Sequence, residues 1–393
     1  MSHAWKAKAS CPLTMARAGE LTTSHGMVPT PAFMPVGSQG TVKTLSPADL
    51  RSTGVDIILG NAYHLFLRPG IQVVEGLGGI HRFTGWDGPI LTDSGGYQVF
   101  SLAALRHVDD KGIAFRSHID GTEYFLAPEI AIEVQEGLGA DIIMTLDECH
   151  RHDLDEASTR EAMERTHRWA IRCLNSHRRS DQALYAIVQG GTSMTLRRES
   201  ARFLTALGFP GYAIGGLSIG EPKALMWTLI EEVVALLPAD RPRYLMGVGA
   251  PDDIIRAVAR GVDLFDSALP TRVARHGGVY TNAGRFNLRN AEYRLSDRPL
   301  DQSCDCYTCR TFPVAYLHHL FKCEEMLAYR LATLHNVRFM VCLMAQVRSS
   351  LSAGSFDSFK KEFLDRYQPS DEQVRITQKQ KWLETRSRQN ASG

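Results

Sequence analysis

Six short apolar strands in this chain each run into a polar residue or a glycine, and that rhythm narrows the fold more than any other feature. Ile90-Leu91-Thr92 meets Asp93, Ile142-Ile143-Met144-Thr145-Leu146 meets Asp147, and Tyr185-Ala186-Ile187-Val188 meets Gln189. Tyr212-Ala213-Ile214 meets Gly215-Gly216, Arg243-Tyr244-Leu245-Met246 meets Gly247, and Asp263-Leu264-Phe265 meets Asp266. Stretches with helical apolar spacing lie between most of them. Parallel strands alternating with helices predict an α/β protein built as a (β/α)8 TIM barrel, whose functional residues gather at the C-terminal ends of the strands. A polar residue closing one strand is usually a turn former. Aspartates, a carboxamide and a diglycine sharing one rim point instead to a binding site.

The chain has 393 residues, 44% hydrophobic and 22% charged, enough for one large barrel with insertions. Its formal net charge is +1, so the overall balance signals no polyanionic partner. Locally, Arg272, Arg275, Arg285, Arg289 and Arg294 face Glu292 alone. Such a stripe is either a grip for phosphates and bases or a solvated loop. Met1 to Ser10 has no apolar core of a secretory signal, and no run reaches the ~18 apolar residues of a membrane span, so a cytoplasmic protein is expected. Eight cysteines in a chain this long suggest a reducing compartment, with thiols used for metal or packing.

One catalytic domain is expected over residues 1–393. Residues up to about Leu50 read as an extended, hairpin-like N-terminal segment, and Val55–Leu59 reads as the first clear barrel strand. Ile113–Phe125 reads as a hairpin turning at Asp120-Gly121. The barrel rhythm breaks in a subdomain at about 287–337, and a polar tail follows about residue 368. Within that subdomain Cys304, Cys306 and Cys309 fall in six residues, with His335 downstream. Three thiolates and an imidazole complete a closed tetrahedral zinc shell, which is structural because it leaves no position for water. A helix outward, a turn near Lys322-Cys323-Glu324 and a helix back (Glu324–Ser350) would return His335 to the cysteines; His318, His319 and Cys323 compete as fourth ligand.

With these pieces in place, the chain resembles the tRNA-guanine transglycosylases, the queuine tRNA-ribosyltransferase family, over about Met15 to Tyr367. The resemblance rests on Thr30-Pro31-x-Phe33-Met34-Pro35-Val36-Gly37, Thr92-Asp93-Ser94-Gly95-Gly96-Tyr97-Gln98, Phe115-Arg116-Ser117-His118-Ile119-Asp120-Gly121, Val188-Gln189-Gly190-Gly191, Gly215-Gly216-Leu217, Phe265-Asp266-x-x-Leu269-Pro270-Thr271-Arg272 and the cysteine cluster. It implies a (β/α)8 barrel with a zinc-bearing insertion near its C-terminal end, one structural zinc per chain. It also implies a pentosyltransferase that exchanges the wobble guanine of tRNAs with GUN anticodons (Asp, Asn, His, Tyr) for a 7-deazaguanine, in queuosine biosynthesis.

Breaking an N-glycosidic bond leaves an oxocarbenium-like ribose. Exchange with retained configuration needs a carboxylate nucleophile opposite the base, by analogy with retaining glycosidases. The resemblance assigns that role to Asp266 and proton transfer to Asp93. Each is otherwise a plausible helix N-cap. Asp147 then reads the ring imino and amino groups of the base, Gln189 and the Gly216 N–H its carbonyl oxygen, and the Leu217 carbonyl its 7-substituent. Tyr97 and Met246 sandwich the ring. Cys149 and Ile219 are of the bacterial type: a branched Ile219 favours 7-aminomethyl-7-deazaguanine over the bulkier queuine. Ser267 replaces the cysteine that commonly follows the nucleophile. Arg272 and Arg275 resemble residues that read bases flanking the wobble position.

Family members dimerise through the zinc-side surface, where a helix expected over Phe312–Phe321 offers Phe312, Tyr316, His318 and His319, with Lys43 nearby; a homodimer is expected. Two other classes remain. A catalytically silent RNA-binding subunit would lack the carboxylates, and both Asp93 and Asp266 are present. A DNA-modifying relative of the same fold is the other. Archaeal-type enzymes carry extra C-terminal domains, and this chain ends too soon to hold them.

Overall fold

The computed structural model describes residues 3–102, 106–150 and 154–368. Eight parallel strands close into a barrel in chain order: β4 (Ala32–Gly37), β5 (Ile58–Gly60), β6 (Ile90–Thr92), β10 (Ile142–Met144), β11 (Ala183–Val188), β12 (Tyr212–Ile214), β13 (Arg243–Leu245) and β14 (Leu264–Ser267), which pairs back onto β4. Three more strands, β1 (Ala4–Ser10), β2 (Arg17–Thr23) and β3 (Gly26–Thr30), form an antiparallel sheet before the barrel. The (β/α)8 architecture and the antiparallel N-terminal segment expected from sequence are both present.

The first barrel strand is β4, not Val55–Leu59. Its sequence Ala-Phe-Met-Pro-Val-Gly is buried at every position. A proline usually marks an edge strand or none, yet Pro35 sits in β4 opposite Ser267 of β14. With both faces covered, the strand shows no alternation to betray it. The expected hairpin at residues 113–125 supplies two strands of a three-stranded sheet: β7 (Arg106–Asp109), β8 (Gly112–Arg116) and β9 (Glu123–Leu126).

Two buried carboxylates at the N-terminal ends of barrel strands fasten the first sheet to the barrel floor. Arg17 of β2 donates to Asp263 at 2.9 and 2.6 Å, just ahead of β14. Asp141, just ahead of β10, pairs with His25 Nδ1 at 2.9 Å and His81 Nε2 at 3.2 Å, and accepts the Ile90 N–H at 2.9 Å. Those two imidazoles stack with centroids 3.6 Å apart. Trp5, Leu21 and Val28 of the sheet join Met34, Tyr185 and Tyr244 of the strands in one apolar cluster inside the barrel. Burying such a side chain contributes roughly 1.5–3 kcal/mol.

After β14 the hairpin β15 (Gly278–Thr281) and β16 (Gly284–Asn287) leads into the cysteine segment. The outgoing helix is Val314–Lys322 and the return helix Met326–Ser352, each starting two residues later than expected, at Pro313 and Glu325 caps. Phe312 therefore precedes the outgoing helix. No helix among the described residues is long and apolar enough to cross a membrane. The expected polar tail after 368 lies outside the described residues.

Candidate active site and metal centre

Because the barrel strands are parallel, all six strand-end marks fall on one rim. Asp93 follows β6, Asp147 β10, Gln189 β11, Gly215-Gly216 β12 and Met246 β13, while Asp266 lies within β14.

Asp93 is 6% exposed. Its Oδ1 accepts the Ala62 N–H at 2.9 Å; its Oδ2 accepts the Gln98 amide at 2.6 Å and the Asn61 amide. Burial raises its pKa to about 7, opposed by those donors and reinforced by the negative charge of Asp266. A carboxyl poised near neutrality is suited to moving a proton both ways. Ala62 is the first residue of the helix that follows β5, so Asp93 does cap a helix start, but that of the preceding β/α unit.

Asp266 receives the Tyr244 hydroxyl at 2.6 Å and the Gly247 N–H at 2.7 Å, both on Oδ1. Its other oxygen accepts no hydrogen bond among the described residues. Burial pushes its pKa up, and the two donors pull it down. The geometry offers one anchored oxygen and one free to attack.

Asp147 Oδ1 accepts the Ser94 hydroxyl at 3.0 Å, and Oδ2 accepts the Gln189 amide at 2.7 Å. These two sequence-selected residues therefore meet. Gly216 has φ +63°, and a side chain there would collide with Gln189 Oε1, so only glycine brings this peptide to the pocket. Leu217 is buried and Ile219 half-buried. Between them Ser218 holds φ 61°, and the Glu221 carboxylate accepts the N–H groups of Ser218, Ile219 and Gly220. Cys149 is buried beside Asp147, and burial pushes its thiol well up, so it is a neutral packing group. Tyr97 is 48% exposed and Met246 half-buried at the mouth. Arg272 is exposed and Arg275 half-buried on the helix Leu269–Arg275 that leaves β14. Among the described residues none of Arg272, Arg275, Arg285, Arg289 and Arg294 forms an ion pair.

Sequence reasoning missed Asn61, Tyr244 and Arg197. Asn61 directly follows β5 and carries the same strand-end mark as the six residues that opened the argument. Tyr244 is fully buried inside β13 and reads as core.

The second constellation is the cysteine cluster. One donor atom from each of Cys304, Cys306, Cys309 and His335 lies within 4.8 Å of the others. His335 Nδ1 is 3.7 Å from the Cys306 sulfur and 3.2 Å from that of Cys309. Its Nε2–H donates to the Tyr280 carbonyl at 2.7 Å, which leaves Nδ1 free as a ligand. The donor set thus fits a metal ion. The rival His318 is buried, bonds the Leu288 carbonyl at 2.7 Å through Nδ1 and is not among the clustered donors, so it is neither the fourth ligand nor part of the surface. His319 and Cys323 approach each other instead. The residue after the return helix's ligand, Asn336, donates to the carbonyls of Pro270 and Gly278, both at 3.0 Å.

Comparison with known proteins bears directly on this pairing of sites. A family model described as queuine tRNA-ribosyltransferase matches residues 11–369. The chain belongs to the queuine tRNA-ribosyltransferase family. A queuine tRNA-ribosyltransferase of Dehalococcoides mccartyi is 56% identical over 381 residues, covering 97% of this chain and 97% of that protein. Relatives of the same name from Moorella thermoacetica (53%, covering 90% of this chain and 95% of theirs) and Symbiobacterium thermophilum (52%, covering 95% and 94%) are similar.

Proposed function

We propose that this protein exchanges the wobble guanine of GUN-anticodon tRNAs for 7-aminomethyl-7-deazaguanine through a covalent enzyme–ribose intermediate. The observation that carries the chemistry is the pair Asp93 and Asp266, close enough for one charge to raise the other's pKa, one held near neutrality and one with a free oxygen.

The free oxygen of Asp266 attacks the ribose C1′ from the face opposite the base. The glycosidic bond breaks, its electron pair goes to the guanine nitrogen, and protonated Asp93 supplies the proton. Asp93, now a carboxylate, takes the ring N–H proton of the incoming base, whose nitrogen attacks C1′ and releases Asp266. Two inversions retain configuration.

Gln189 and the Gly216 N–H donate to the base's carbonyl oxygen, and Asp147 accepts from its imino and amino groups. The hydrogen bond between Asp147 and Gln189 supports this reading, because it brings both side chains to one space. Tyr97 and Met246 flank the ring, Cys149 packs behind it, and the Leu217 carbonyl and Ile219 side chain bound its 7-substituent. Arg272 and Arg275 meet the flanking nucleotides; the absence of ion pairs along this arginine stripe, among the described residues, supports the phosphate-and-base alternative over a solvated loop.

The Cys304, Cys306, Cys309 and His335 donors suit one structural zinc, with thiolate and imidazole ligands and no open position. Phe312 and Tyr316 stack at 5.1 Å beside exposed His319, with exposed Lys43 on a preceding loop; this face supports a homodimer. Action on tRNA supports a cytoplasmic location.

The test is exchange of labelled guanine into an anticodon stem-loop carrying uridine-guanosine-uridine. Asp266→Asn should abolish both exchange and the SDS-stable protein–RNA band while RNA binding persists. A surviving band would remove Asp266 as nucleophile.

A further inference from the structure

Arg197 lies in the first turn of the helix Met194–Ala206, directly after β11, and is 0% exposed. It forms no ion pair among the described residues. Its guanidinium spends its donors on backbone carbonyls instead. Nε bonds the Gly191 carbonyl at 2.8 Å; Nη1 bonds those of Val188 at 3.0 Å and Gly215 at 2.7 Å; Nη2 reaches that of Gly216 at 3.2 Å. A buried cation without a carboxylate partner is costly, and burial lowers its pKa to about 10, which still leaves it charged at neutral pH. The carbonyls it collects come from the two loops that flank the base pocket, after β11 and after β12.

Peptide planarity converts these contacts into a statement about the pocket. In a trans peptide the C=O and the next N–H point in opposite directions. Holding the Gly215 carbonyl on Arg197 therefore turns the Gly216 N–H away from the guanidinium. Gly190 and Gly216 pack too closely for side chains: a Cβ on Gly190 would lie 2.8 Å from the backbone nitrogen of Arg197, and one on Gly216 would collide with Gln189 Oε1. A positive charge on the carbonyl side of a peptide also polarises it and strengthens the N–H as a donor.

We propose that Arg197 is a positioning residue for base recognition, aiming and strengthening the Gly216 N–H so that the site selects bases carrying a 6-oxygen. The inference rests on the transglycosylase function proposed above. Charge that develops on that oxygen as the guanine departs meets a donor already oriented toward it, with no reorganisation needed. Arg197 touches neither substrate nor reacting atom; its effect passes through one peptide group.

The experiment compares guanine with 2-aminopurine, which keeps the 2-amino group and lacks the 6-oxygen, as ligands of the full-length protein. Dissociation constants are measured for native protein, Arg197→Lys and Arg197→Gln. Arg197→Gln should lower the preference for guanine about tenfold, a size typical of a weakened polar contact. Arg197→Lys, which keeps the charge but cannot span four carbonyls, should fall between. A purely structural role would weaken both ligands alike, and an unchanged guanine-to-aminopurine ratio would overturn the proposal. If Arg197→Gln does not fold, as judged by its melting transition, the Arg197→Lys ratio decides. Guanine exchange by the native protein is assayed first: its absence would sink the transglycosylase function itself, whereas exchange with an unchanged ratio would sink only the role of Arg197.

Discussion

Replacing Asp93 by asparagine should stabilise the protein at alkaline pH while removing its activity. Burial and the Asp266 charge move the Asp93 pKa from 3.8 to about 7. Between those values the native state holds a proton that the unfolded chain has released. Stability from this group is therefore full below 3.8, falls as pH rises through the window and levels off above about 7. At ~1.36 kcal/mol per unit the whole window is worth roughly 4 kcal/mol. Asparagine carries no charge at any pH. Its amide oxygen can keep the Ala62 N–H, while its amide nitrogen meets the Asn61 and Gln98 amides, which must turn their oxygens inward. That repacking subtracts from the gain, leaving a net of about 1–3 kcal/mol at pH 8 and a net loss of about 1–3 kcal/mol at pH 4, where only the repacking cost remains. The assay is calorimetric melting of native protein and Asp93→Asn from pH 4 to pH 8. The variant's advantage should grow with pH and flatten above neutrality. Parallel Tm curves would refute the argument, because they would mean that Asp93 is not held protonated by its surroundings. Native exchange activity should inflect near pH 7.

Cys306→Ser should lose bound metal and loosen the segment around Asn336, seen as under one equivalent of zinc by elemental analysis and a lower Tm; native protein without zinc would contradict the metal assignment. Asp141 has the opposite sign to Asp93. Its side chain is fully buried, and although burial pushes its pKa up, hydrogen bonds from His81, the Ile90 N–H and His25 outweigh that and hold it at about 2. It contributes stability above 3.8 that is lost as pH falls toward 2, worth roughly 2 kcal/mol. Asp141→Asn should lower Tm at pH 6 but not at pH 2.

The rim was legible because a parallel barrel advertises each functional position twice, by an apolar run and by the polar residue that ends it. Asp93, Asp147, Gln189 and Asp266 all carry that mark. The cysteines announced themselves by spacing alone. What stayed hidden is hidden for physical reasons. Strand β4 is covered on both faces and punctuated by proline, so neither periodicity nor propensity exposes it. Tyr244 differs from a core tyrosine only in where its hydroxyl ends. Arg197 resembles any helical arginine until the carbonyls around it are seen, because its partners are backbone groups that no side-chain pattern records.

The floor of the barrel has a consequence for traffic. Trp5, Leu21 and Val28 plug the end opposite the rim, and the Arg17–Asp263 and Asp141 clasps bolt that plug in place. The pocket is a room with one door. Under the covalent mechanism proposed above, RNA tethered to Asp266 would stand in that doorway, so the outgoing guanine and the incoming base would have to pass through the same gap in turn. Exchange in such a room is a queue: the first base must clear the threshold before the second can enter, and excess free guanine should slow the reaction by standing in line.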